Sequence, residues 1–479
     1  MSESLRKITR REFLKAAGIG LAASSVAGIL QACGAAPTDM PATKPPPVVP
    51  TVASTAIPPT SAPQSAKSLR WDWWGEQEAP GLETWVKKTL DLYKQKSGVD
   101  IQTTLVDSSV VVTDIQTTSA SGNPPDLMYF WNGIYHMESV WMGYVEPLNG
   151  LLPDDMLKAS GATVLSIFQG KQYRVGWYAC SPIILYNKDM FDKAGLNADQ
   201  PPKTWEEFMA ACDKLKSKGF TPIIGGLKDG PWGEWYLGHS LAQNLDTPGE
   251  VLSLFNGVLD WREPKYWEQW QRLGDLWKAG FINNDFLSID LYPGIDNFGT
   301  GKGAITEAVV SHAPKMQSML GAEKVGAMVF PYGGKGKMAG KPMVDTQGIG
   351  IASGSKSKEA AAELLKFMGT SEVMTSLFNE VKVFPTYTTW DGDKEIQDPT
   401  SKYIWQNWVK NPAGIPYISN LMPTLFWTDA MFVNSQNIIS GKFTGEQAGQ
   451  NAYDVTQKWV QQNPDLAEKY KAWTKEMNV

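Results

Sequence analysis

Residues 184–208 read ILYNKDMFDKAGLNADQPPKTWEEF, and this stretch decides the fold. Its opening is short and apolar, and Tyr186-Asn187 reads as the end of a strand. Thr204-Trp205-Glu206-Glu207 is a capping box: the threonine hydroxyl accepts from the backbone N–H three residues on, and Glu207 reaches back to the cap. Phe208, Ala211, Cys212 and Leu215 then fall on one face of the helix so begun, with Trp205 packing under it and Cys212 an inert core thiol.

The same alternation recurs outward. Leu82, Trp85, Val86, Thr89, Leu90 and Tyr93 trace one stripe of an amphipathic helix that Gly98 closes. Val99, Ile101, Thr103 and Leu105 alternate with polar neighbours as a strand, Ser68 to Trp74 reads as a strand ahead of the helix, and Asp126 to Trp131 as another. Ser357 caps a helix bearing Ala361, Leu364, Leu365 and Met368, and Thr444 with Gln447 caps a last one bearing Ala448, Ala452, Val455 and Trp459. Strands interleaved with helices predict α/β layers, without a fixed-period repeat.

Upstream of Ser68 the chain reads as an address and a tether. Arg10-Arg11 stand in TRREFLK before Ala16 to Leu30, an apolar run of 15 residues, too short to span a bilayer. The order resembles a twin-arginine export signal, which exports folded proteins. Leu30-Gln31-Ala32-Cys33-Gly34 resembles a lipobox, whose Cys33 thiol takes a lipid; a simple signal peptide cleaved nearby is the alternative. The division is therefore a signal over 1–33 and a Pro-, Ser-, Thr- and Ala-rich linker over 34–67, extended and unable to bury a core.

Composition excludes several classes. The 479 residues carry 44 Lys plus Arg against 50 Asp plus Glu, so the basic footprint of a nucleic-acid binder is absent. Three Cys cannot build a disulfide framework, a Cys180–Cys212 bond being left open, and His136, His239 and His312 show no zinc-ligand spacing. No metal or cofactor is expected. The 20 Trp read either as stacking surfaces or as core.

Several segments in order resemble the extracellular solute-binding proteins of ABC importers, the family of maltose-binding protein and other sugar receptors. They are Gly122-Asn123-Pro124-Pro125-Asp126-Leu127, Gly143-Tyr144-Val145-Glu146-Pro147-Leu148, the stretch 184–208, Phe298 to Ile305 with Lys302, and Gly348 to Phe367. The resemblance implies an α/β two-lobe periplasmic-binding-protein fold of type II, with hinge strands between discontinuous lobes. One lobe comprises 68–180 and 347–386, the other 181–346 and 387–479. Crossings are expected near Ala179 to Pro182, Val344 to Gly348 and Pro385 to Trp390. It also implies a monomeric receptor outside the cytoplasm, lipid-anchored at Cys33, that passes a sugar or oligosaccharide to ABC permease subunits.

Ligands of such sheets bind beyond the carboxyl ends of strands. The first loop to inspect is Trp73-Trp74-Gly75-Glu76-Gln77, where Glu76 matches a sugar-binding carboxylate of maltose-binding relatives; the second is Trp131-Asn132-Gly133. A sugar offers apolar C–H faces and a rim of hydroxyls, so Trp beside Asn or Glu suits it. In the other lobe Trp232, Glu234 and Trp235 resemble the region of an aromatic platform, and Trp427, with Asp429 two residues on, resembles a late stacking Trp. Tyr178, Cys180 and His312 stand where maltose binders carry other residues and are candidates to line a pocket for a different glycan, with Glu307 a weaker one.

Enzyme readings are thinner. Gly238-His239-Ser240-Leu241-Ala242 only approaches a nucleophile elbow, and Gly333 to Gly340 lacks phosphate-loop spacing and reads as a mobile surface loop. A tethered glycoside hydrolase or lyase using Glu76 and Asp429 is the serious alternative. A peptide or polyamine receptor on the same fold would need a strongly acidic pocket, and the sequence shows aromatics more than acid clusters.

Overall fold

The computed structural model describes residues 68–477 except 109, 162–163, 332–333 and 411–413. The signal, Cys33 and the linker lie outside the described residues. In the first part of the chain come β1 (Ser68–Trp73), α1 (Leu82–Ser97), β2 (Asp100–Leu105), α2 (Val111–Ala120), β3 (Leu127–Phe130), α3 (Ile134–Trp141) and β4 (Val175–Ala179). Next are β5 (Pro182–Asn187), α4 (Trp205–Ser217), α5 (Pro231–Ala242), β6 (Ile305–Val309), β7 (Val325–Met328) and β8 (Thr346–Ile351). Helices α6 (Lys358–Met368), α7 (Gly445–Gln462) and α8 (Pro464–Met477) follow.

Two sheets organise these elements. The first runs β2-β1-β3-β8-β4, with β1 parallel to β2 and β3, and β8 antiparallel to β3 and β4. The second is β6-β5-β7, antiparallel throughout. The chain leaves the first sheet at β4, reaches the second at β5 through Cys180 and Ser181, and regains the first through Asp345 into β8. Tyr178 also bridges to Pro385, so the ends of β4 and β8 and the 385 segment lie together.

Local chemistry accounts for the helix ends. Gly98 closes α1 at φ 76°, a conformation that costs glycine little, and its N–H donates to Lys94 O. The capping boxes at Thr204 and Thr444 both form. Ser357 departs from expectation: its side chain caps nothing, its φ −131° and ψ 36° lying outside the extended conformation that N-cap residues adopt, and its own N–H donates to the Ser355 hydroxyl at 3.0 Å. Residues 334–340 are not a free loop. Gly336 N donates to Gln243 O, Met338 N to Leu245 O and Gly340 N to Gln243 Oε1, and Met338 is buried, so the segment is fastened to the end of α5.

Strand periodicity directs many tryptophans inward. Trp71 and Trp73, two apart on β1, share a face and meet Trp177 at ring distances of 5.4 and 6.0 Å, with Trp85 of α1 at 6.3 Å from Trp177. Each such ring buries roughly 150–250 Å², about 4–6 kcal/mol of gross hydrophobic stabilisation.

The last helix packs against both halves. Towards the β3–β4 region, Trp473 Nε1 donates to Ile167 O at 3.0 Å, and Glu476 accepts from Gln169 N and Gly170 N. On its other side the Tyr470 hydroxyl donates to Leu421 O at 2.8 Å and its ring meets Phe255 and Trp459.

Candidate functional site

The loops after β1 and β3 meet residues of α5, β6 and the late segment where the chain passes between the sheets. An aromatic run crosses this cleft. Trp74 lies 5.2 Å from Trp131, Trp131 5.5 Å from Tyr135, and Tyr135 4.3 Å edge-on from Trp427. Trp131, Tyr135 and Trp427 are half-buried, so part of each ring stays accessible. The indole of Trp427 is held in plane by donation to Ser419 O at 3.0 Å and Met422 O at 3.1 Å, and it opens a π-helical turn, Trp427–Phe432. Farther along, His312 lies 5.9 Å from Trp235 and 5.7 Å from Tyr292.

Buried carboxyls face these rings. Glu78, in the loop after β1, accepts from Ser311 Oγ at 3.1 Å, a residue beyond β6, and from Gln347 Nε2 on β8 at 3.1 Å. It therefore ties the two sheets' loops together. Burial pushes its carboxyl up to about 8, against the opposing hydrogen bonds from Gln347 and Ser311. Burial raises Glu234 to about 8 as well, beside Tyr417 and Ser419. Glu307 is raised by burial and by Glu234, and Asp345 by burial with Arg174 opposing. His239 and His312 are pushed down to about 4 and about 3 by burial and are neutral at pH 7.

A pH dependence follows. The folded-state values of Glu78 and Glu234 stand above the unfolded value, so both groups bind more protons when folded, and stability falls as pH rises from about 4.5 to about 8. The slope is about 1 kcal/mol per pH unit per group. Thermal unfolding between pH 5 and 8 should show a falling melting temperature that Glu78→Gln flattens; an unchanged slope in that variant would refute the assignment.

Behind the cleft, Arg174 is fully buried. Its Nε donates to Ser166 Oγ at 2.7 Å, Nη1 to Phe130 O and Thr346 O at 3.1 and 2.9 Å, and Nη2 to Thr346 Oγ1 at 2.5 Å. Burial lowers it to about 10, so it stays charged at pH 7 beside Asp345. On the cleft's edge Gly133, at φ 72°, lies against Asn420: a Cβ there would sit 2.1 Å from Asn420 O.

Of the residues singled out from sequence, Trp74, Trp131, Tyr178, Cys180, Glu234, Trp235, His312 and Trp427 come together at this joint. Five do not. Trp73 is buried in the core, packed against Trp71 and Trp177. Trp232 is buried, stacked on Tyr236 and edge-on to Phe286, in a helix buried along its whole length from Trp232 to Ala242. Asn132 holds the loop itself, its Oδ1 accepting from Gly133 N and Ser166 Oγ. Glu76 accepts from Gly81 N at 2.8 Å and Glu83 N at 2.6 Å, capping α1. Asp429 is half-exposed and paired with Lys458 at 2.9 Å. Glu76 and Asp429, the pair a glycosidase would need, are thus engaged separately. Ser240 is buried in mid-helix, its hydroxyl donating to Tyr236 O, unlike an exposed nucleophile on a strand-to-helix turn. Cys180 and Cys212 are both free thiols, which resolves the open disulfide question against a bond.

Glu78, Tyr135, Ser311, Gln347, Asp345 and Tyr417 went unread in sequence. A signal existed for one pair: a carboxylate just ahead of an uncapped helix start favours Glu76 as the cap and leaves Glu78 for the cleft.

A family model described as bacterial extracellular solute-binding protein matches residues 75–375. The sn-glycerol-3-phosphate-binding periplasmic protein UgpB of Rhizobium meliloti is 39% identical over 104 residues, 21% of this chain and 24% of that protein. The chain thus spans about a quarter of the length of this curated relative. A structure from work on xylan utilization by Caldanaerobius polysaccharolyticus is 22% identical with a TM-score of 0.71, covering 82% of this chain and 99% of that one. A sugar transporter protein from Bacillus licheniformis in complex with stachyose is 17% identical with a TM-score of 0.66, covering 81% and 98%. These likenesses show the two-lobe fold.

Proposed function

This chain belongs to the bacterial extracellular solute-binding proteins, and we propose that it captures a sugar or oligosaccharide between two lobes and delivers it to the permease subunits of an ABC importer. The observation that carries this reading is the half-buried run Trp131, Tyr135 and Trp427 facing buried polar groups, flat faces for C–H surfaces beside partners for hydroxyls. In this reading the lobes are 68–180 with 347–386 and 181–346 with 387–479, and the chain is a monomer held at the outer face of the membrane by a lipid on Cys33. No bond is made or broken. A ligand touching both lobes binds the closed arrangement better and shifts the population towards it.

The likeness to the glycerol-3-phosphate-binding relative covers 21% of this chain and does not by itself extend the reading to a phosphate ester. Calorimetric titration against mono- and oligosaccharides tests the proposal, with product analysis after long incubation. Saturable one-to-one binding without turnover supports a receptor; consumption of the sugar supports a glycoside hydrolase instead. Trp427→Ala should weaken sugar binding at least tenfold, about 1.4 kcal/mol, because stacking is lost, while the fold persists. Unchanged affinity would remove Trp427 from the site.

A further inference from the structure

We infer that the ligand of this cleft is short, a monosaccharide or a disaccharide enclosed on all sides, and that a longer glycan is excluded because no chain can leave the closed site. The inference rests on the reading of the cleft as a saccharide site and sets the size of what it takes.

The polar groups without partners lie deep. Both carboxyl oxygens of Glu307, Oε1 of Gln347, Nε2 of His312 and Nε1 of Trp74 are buried with no hydrogen bond. Each of these residues is only 1–2% exposed. They share one neighbourhood. Gln347 bonds Glu78, on the same loop as Trp74; Glu78 bonds Ser311, beside His312; and Glu307 faces Glu234, next to the Trp235 that meets His312. Buried polar atoms of a native fold find partners in the protein or in something bound, so this set is built for a guest that brings both donors and acceptors. Sugar hydroxyls bring both, and Glu307, held protonated by burial, can itself donate as well as accept. A pyranose carries about five hydroxyl groups, each with one donor and two acceptor sites, so one or two rings satisfy the set.

Contacts across the cleft seal this space. Tyr135 and Trp427 meet edge-on with ring centroids 4.3 Å apart. A sugar ring passing between two side chains needs about 3.5–4 Å on each face, roughly 7–8 Å in all, so none fits there. Beside them Gly133 packs so closely on Asn420 that even a Cβ would lie 2.1 Å from Asn420 O, and Thr424 Oγ1 donates to Glu138 at 3.0 Å. At a second point Ser311 Oγ donates to Glu78 at 3.1 Å, joining the segment beyond β6 to the loop after β1. The half-buried rings of Trp131, Tyr135 and Trp427 are thus the rim of an enclosure and not a track leading out of it. A glycan long enough to protrude must break one of these contacts and expose the groups behind it.

The test is calorimetric titration of the full-length chain at pH 7 with three chain-length series: glucose, maltose and maltotetraose; glucose, cellobiose and cellotetraose; xylose, xylobiose and xylotetraose. In whichever series binds, the monosaccharide or disaccharide should bind tenfold or more tightly than the tetrasaccharide, about 1.4 kcal/mol. Tyr135→Ala, which removes the ring that meets Trp427, should narrow that gap at least threefold; the series on the unaltered protein decides alone should the variant not fold. A tetrasaccharide that binds as tightly as its disaccharide overturns the inference and leaves the sugar receptor standing. A gap unchanged in folded Tyr135→Ala also overturns it, since this wall would then not set the length. If no saccharide of any length binds, the sugar reading falls and the inference with it.

Discussion

Replacing Arg174 with Met lowers the stability of the body by about 3–5 kcal/mol at pH 7, read as a shift of the urea unfolding midpoint. The side chain is volume-similar and apolar, so the loss is not one of packing. It comes from the acceptors that the guanidinium leaves behind: Phe130 O at the end of β3, Thr346 O and Oγ1 at the start of β8, and Ser166 Oγ. Each buried group left unbonded costs about 1–3 kcal/mol. Asp345 also loses the cation that opposes its rise, in the segment where the chain passes between sheets. Arg174→Lys should recover less than half, because a single ammonium cannot reproduce a planar fork that bonds three segments at once. A loss below about 1 kcal/mol in the Met variant would mean that these groups find other partners.

Gly133→Ala should hold the cleft open. The backbone there adopts φ 72° and ψ −145°, where an L side chain is strained, and the new Cβ would lie 2.1 Å from Asn420 O and 2.6 Å from Asn420 Cβ. Backbone cannot move aside as a flexible side-chain tip can, so the separation of the two segments must grow. The expected result is a larger radius of gyration in small-angle scattering and a loss of sugar affinity of a hundredfold or more, about 2.7 kcal/mol. Gly98→Ala is the control: φ is 76° but no atom lies within 4 Å of the added Cβ, so it strains the backbone without touching the cleft. Equal behaviour of the two variants would place the effect in backbone strain alone.

The fold was legible where the information is local. The capping boxes at Thr204 and Thr444, the stripe from Leu82 to Tyr93 and the closing Gly98 are set by residues within one or two turns, and they form as read. The site was legible only in part, because it is assembled by long-range contact. Glu78 and Glu76 stand two apart in one loop, and what separates them is the geometry of α1, which draws Glu76 to its first turn and leaves Glu78 to meet Ser311, 233 positions away in sequence. Trp232 and Trp235 lie on one helix, and the direction each faces depends on Phe286 and His312, which sequence spacing does not place. The acid cluster was missed for the same reason: Glu78, Glu234, Glu307 and Asp345 are scattered over nearly 270 positions.

The terminal helix α8 bears on how fast a ligand comes and goes. Trp473 and Glu476 bond to the 167–170 segment on one side, while Tyr470 is bonded to Leu421 on the other. In the proposed two-lobe reading these bonds together span the lobes, so a widening cleft is expected to loosen one of them. Stopped-flow association is then expected to level off at high ligand concentration at the opening rate, and a variant that loosens the helix, such as Trp473→Phe, to shorten the residence time of a captured ligand.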